Sequence, residues 1–241
     1  PTTTQSVTTT VVAPTTTGAP TTTTTAAPTT TATPTTTAAP TTTAAPTTFA
    51  APTTTVVPAP AAFHEPGHVP FADANGVELV LPVGVVEYIG FHEAGHDGSQ
   101  QQQPLDLPIP MSTLETRNRN TGSRTAADIV VAPGLEVRSP ATGTVIRAGT
   151  YVLYCDHTDA FVVIEPDSRP GWEVKMFHFQ GLQVQVGDRV EAGLTVIGTE
   201  ATPLPFESQV DEFTGEPSNP HVHVEVVDPS IPDIPSGGSG C

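Results

Sequence analysis

From Pro1 to Phe63 the chain contains no Asp, Glu, Lys, Arg or His, and nearly every residue is Thr, Ala, Pro or Val. Units such as Thr41-Thr42-Thr43-Ala44-Ala45-Pro46 recur without the apolar periodicity that repays the entropy of folding. Residues 1–63 therefore read as a disordered Thr/Ala/Pro stalk. Frequent Pro stiffens it toward an extended path, and dense Thr offers attachment points for O-glycans. The fold is confined to what remains, roughly 170 residues, which is enough for one domain with its own core. All 25 acidic and 8 basic residues lie there, so the net charge of −17 belongs to the folded part. So acidic a surface disfavours nucleic acid and anionic membranes as partners. No apolar run reaches the ~20 residues of a spanning helix, so no membrane span is expected. The start at Pro1 rather than Met fits a chain whose leader has been removed, and the expectation is a secreted or cell-surface protein. Cys155 and Cys241 allow one disulfide within the chain or a pairing between chains.

Beyond Asn75, short β-branched runs separated by Gly, Pro and Asp clusters predict a mainly β domain of hairpins. They include Val77–Leu81, Ile129–Val131, Phe161–Ile164, Glu173–Phe177 and Val222–Val226. Two turns, Ala141-Thr142-Gly143-Thr144 and Gly187-Asp188-Arg189-Val190-Glu191-Ala192-Gly193, place glycine where a strand must reverse. Helix is expected nowhere except over Val85–His96.

Among the eight histidines, His221-Val222-His223 is the pair with the clearest chemistry. Residues two apart on a strand project to one face, which suits a metal ligand beside a general base. Asp128 precedes an apolar strand, where a carboxylate is costly unless paired or bound to metal. His178 stands between Phe177 and Phe179.

In this order the segments resemble the lysostaphin-type, LytM-like zinc endopeptidases of bacterial cell walls, over about residues 124–227. Asp128, the run Val137-Arg138-Ser139-Pro140-Ala141-Thr142-Gly143-Thr144-Val145, His178, the turn Val184–Gly193 and the closing His221-x-His223 carry the resemblance. It implies a duplicated hairpin barrel or sandwich over 116–230, with 64–115 as an extension packing on it and 231–241 as a flexible tail. It also implies Asp128 and His223 as zinc ligands, His178 and His221 as catalytic residues, and a place in the bacterial cell envelope. The family's first ligand falls four residues before Asp128, where this chain has Arg124, a cation with no lone pair to give zinc. Catalytic zinc ordinarily has three protein ligands. The expectation is thus a degenerate member that binds peptidoglycan or regulates a wall hydrolase. The alternative is an active zinc endopeptidase in which His92 or His96 replaces the missing ligand.

Two other signals compete. His92-Glu93-Ala94-Gly95-His96 fits the H-E-x-x-H of zincin proteases, and His64-Glu65-Pro66-Gly67-His68 repeats it with Pro66 opposing a helix. Val174-Lys175-Met176 faintly resembles the modified lysine of lipoyl and biotin carriers, but Lys175 lies within an alternating strand rather than at a tight turn.

Overall fold

The structure is a computed structural model that describes residues 62–153 and 156–234. The predicted stalk up to residue 61, both cysteines and the tail's last residues fall outside that range. In chain order the strands are β1 (Pro70–Ala74), β2 (Val77–Val80), β3 (Val86–His92), β4 (Gln103–Pro104), β5 (Met111–Thr113), β6 (Ala126–Val131) and β7 (Val137–Arg138). Then come β8 (Gly143–Leu153), β9 (His157–Pro166), β10 (Glu173–Gln180), β11 (Arg189–Val190), β12 (Val196–Gly198), β13 (Glu200–Ala201) and β14 (His221–Val227). A single turn of 3₁₀ helix covers Gln209–Phe213.

The mainly β reading holds. The main sheet runs β11-β8-β9-β10-β14-β6-β3-β5, with β13 added on β10, and it stays open at β11 and β5 rather than closing into a barrel. Smaller sheets, β2-β1-β4 and β12-β7, pack beside it. The segment expected to admit a helix, 85–96, instead supplies β3, paired antiparallel to β6 and parallel to β5. All seven β3 residues and all six β6 residues are buried, so their apolar runs are those of strands covered on both faces. That continuous burial explains why no period was visible in the sequence there.

Alternation decides which face each residue takes. On β14, Val222, Val224 and Val226 are fully buried in the main core with Val174 and Met176 of β10. His221, His223 and Glu225 therefore share the opposite face. A second cluster of Tyr88, Leu114, Val130 and Val210 covers part of that face. Gly90 makes room for it, because a Cβ there would stand 2.9 Å from both Leu114 and Val210 side-chain atoms.

Candidate metal centre

Three adjacent strands place the site. On β14 His223 lies directly opposite Asp128 of β6, and on the other flank Asp128 lies opposite Gly90 of β3. His92 stands two residues beyond Gly90, on the same face as Asp128 and diagonal to it. One ligand-type atom from each of His92, Asp128 and His223 falls within 4.8 Å of the others. His223 Nδ1 is 2.8 Å from Asp128 Oδ1, and His92 Nε2 is 3.0 Å from Asp128 Oδ2.

The His92 ring shows what the site asks for. Its Nδ1 lies 2.9 Å from the Glu93 carbonyl, which can only accept, so Nδ1 carries the proton. Nε2 is buried and makes no hydrogen bond, because the Asp128 oxygen at 3.0 Å lies off the direction an N–H would take. A bare Nε2 lone pair facing a carboxylate at that distance is repulsive unless a cation sits between them. Two imidazoles and a carboxylate, with one ring fixed by a backbone carbonyl, form a donor set that fits zinc. Behind His223, Glu225 lies 3.8 Å from Nε2 and is itself paired with Lys175 at 3.2 Å.

Burial alone would raise the Asp128 carboxyl. The neighbouring His92 and His221 rings and the hydrogen bond from His223 outweigh it and hold the group well below the usual carboxylate range. Burial would lower His223, yet Asp128 and Glu225 bring it up to about 9. His221 is buried without a hydrogen-bonded partner of that kind, and desolvation takes it down to about 4. Burial likewise opposes ionisation of Glu225, but His223 and Lys175 lower it to about 2.

His178 reaches the same pocket by an irregularity. Alternation along β10 would send it toward the core with Val174 and Met176. The register shifts between Phe177 and Phe179, and His178 takes φ 65°, so Phe179 fills the core while His178 turns to the site face. Its ring centroid lies 5.2 Å from that of His221 and 6.0 Å from that of His223. Asp159, buried on β9, accepts from the His178 ring at 2.8 Å, from its backbone N–H at 3.1 Å and from Tyr151 Oη at 2.7 Å. Its other oxygen accepts from Thr202 Oγ1 at 2.7 Å. These bonds outweigh burial and hold Asp159 below its ordinary value. Asp128, His178, His221 and His223 thus all line one cleft of about 490 Å³.

Other expectations fare differently. His96 stands in a turn, its Nδ1 accepting the Gly98 N–H at 2.9 Å, and it is outside the His92–Asp128–His223 group. Arg124 lies in the turn before β6 and does not line the cleft. The zincin reading is corrected: β3 ends at His92, so the two histidines share no helix face. Glu93 is committed instead to Thr116 Oγ1 and to the backbone N–H groups of Arg117 and Arg119. Lys175 is in the Glu225 ion pair. Sequence reasoning missed Asp159, Arg117 and Arg119, none of which stands in a recognisable motif.

No family model matches the chain, and no curated protein matches it. Solved structures similar to it include lysostaphin, at 20% identity and a TM-score of 0.32 over 44% of this chain and 37% of lysostaphin. They also include the M23 metalloprotease pseudoalterin from the deep sea, at 18% identity and a TM-score of 0.30 over 72% of this chain and 71% of that one. A third is an M23 peptidase from Pseudomonas aeruginosa, at 17% and 0.31 over 70% of this chain and 90% of that one. These are the lysostaphin-type and M23 peptidases that the ordered motifs resemble. The chain spans little more than a third of lysostaphin's length.

Proposed function

We propose that this chain is a zinc endopeptidase of the bacterial cell wall, held by His92, Asp128 and His223 and acting on peptide bonds of peptidoglycan. The observation that carries the reading is His92, whose unsatisfied Nε2 meets Asp128 where a third ligand is needed. The reason for expecting a degenerate site was Arg124. A histidine arriving from the adjacent strand supports the rearranged-ligand alternative in its place.

Bound zinc would polarise a peptide carbonyl and make its water acidic. His221, neutral through physiological pH, can accept a proton from the attacking water. The burial that keeps it neutral makes its cation costly, which favours handing that proton on to the departing amine. Asp159 accepts the Nδ1–H of His178 and fixes its ring toward the cleft, where the imidazolium form would also donate its Nε2–H to an oxygen gaining negative charge. Among the described residues no helix is long and apolar enough to cross a membrane. The Thr/Ala/Pro segment, the acidic charge and the wall substrate together favour an exported protein tethered in the envelope.

The test is zinc per chain in protein purified without chelators. One zinc is expected, lost in His92→Ala, Asp128→Ala and His223→Ala and kept in His96→Ala and Arg124→Ala. Wild type should release new amino termini from purified wall sacculi, and His221→Ala should keep zinc but release none. Full zinc occupancy in His92→Ala would sink the assignment. Binding to sacculi with neither zinc nor cleavage would return the chain to a wall-binding or regulatory role.

A further inference from the structure

Eight cationic side chains serve this chain of net charge −17, and two of them line the cleft. Arg138, Arg147, Arg189 and Lys175 are each taken up by an ion pair elsewhere, and Arg169 lies over Trp172. Arg117 and Arg119 instead stand at the mouth of the site. Arg117 donates from Nε to Gln209 at 2.9 Å, and its Nη2 is 3.9 Å from Asp128 Oδ2. Arg119 donates from Nη1 to the Glu93 carbonyl at 3.1 Å, and its charge also acts on the Glu93 carboxylate.

The loop that carries them is built rather than loose. Glu93, 8% exposed, accepts the N–H groups of both arginines at 2.8 and 3.0 Å. Asn118 and Asn120 take positive φ, so the two arginines alternate with residues in the left-handed region, which asparagine tolerates better than most residues. His92 and Glu93 are consecutive, so one strand end fixes both a candidate ligand and the arginine loop. Two guanidiniums on the lining of one cleft, each with donors left over, supply the forked donors by which a carboxylate is recognised. Among the described residues, the acidic side chains on the cleft wall are Asp128 and Glu207.

We infer that Arg117 and Arg119 make the cleft selective for peptides bearing a free carboxylate next to the bond presented to His178 and His221. The inference deepens the metallopeptidase reading and rests on it only for cleavage, not for binding. A neutral peptide such as an all-glycine bridge is accordingly a poor ligand.

The probe is a set of acetylated, amidated alanine pentapeptides with Glu at each position in turn, and a matching Gln set. Binding is measured by calorimetry to metal-free full-length protein, and cleavage by the zinc-loaded form. One Glu position is expected to bind about tenfold or more tighter than its Gln twin, as a charge-assisted pair does. Arg119→Gln and Arg117→Gln should each abolish that preference while zinc per chain stays unchanged, and Arg119→Lys should restore only part. Equal binding of every Glu and Gln twin, or a preference that survives both variants, overturns the inference. Cleavage of both twins at one rate overturns it too while leaving the peptidase standing. Glu-dependent binding in a chain that takes up no zinc keeps the arginine site and removes the peptidase.

Discussion

His178 owes its place to a backbone state that few side chains tolerate. At φ 65° it sits in the left-handed region, and the bulge that creates this state is pinned by Asp159, which accepts both the backbone N–H and the ring N–H of the same residue. Asp159 touches no substrate atom in the proposed reaction and is a positioning residue. Asp159→Asn keeps the size and loses the charge. Hydrolysis of sacculi should fall about 10- to 100-fold in kcat, as for other residues that orient a catalytic group, with KM and zinc content unchanged. A residue that only supported folding would lower Tm without that split. The family resemblance points to His178 as a catalytic residue, but nothing in Phe177-His178-Phe179 marks where a strand skips a residue.

At the scale of elements, β3 puts His92 beside Asp128, in the place that the motif order gives to a residue just before β6. A resemblance read along the chain looks for the first ligand at Arg124. Pairing β3 beside β6 brings His92 in from 36 positions before Asp128. Glu93 then ties the loop 116–119 to the end of that strand. Glu93→Ala should leave zinc in place while amide hydrogen exchange at Arg117 and Arg119 speeds up by about 10- to 100-fold, the loss of a charge-assisted hydrogen bond each. Unchanged exchange at those two amides would show that other contacts hold the loop.

For the molecule as a whole, the proposed metal and a proton would compete for His223. Its folded pKa of about 9 lies above the ordinary 6.5, so in metal-free protein its contribution to stability is full below pH 6.5 and lost as pH rises through 9. Glu225, lowered from 4.5 to about 2, contributes above 4.5 and loses this as pH falls toward 2. His221, lowered from 6.5 to about 4, contributes fully above 6.5 and less toward 4. Zinc needs the His223 lone pair, so its uptake at pH 7 should release about one proton, seen by calorimetry in buffers of different ionisation enthalpy. The gap in Tm between zinc-loaded and metal-free protein should widen from pH 6.5 to 9. A gap that stays constant over that range would place the metal elsewhere than on His223.

Composition and period-2 alternation are local properties, and they were enough to mark β2, β6, β9, β10 and β14, the glycine turns and the face shared by His221 and His223, but not β3. They also singled out Asp128 as a carboxylate in need of a partner. Which partner it has depends on strand register across β14, β6 and β3, and register is settled by burial of both faces of a sheet rather than by any one segment. His92, Asp159 and the two arginines come from chain positions whose neighbours say nothing about where they will meet. Only the tertiary structure brings the arginines to the cleft and sets His92 and Asp159 against the residues that line it.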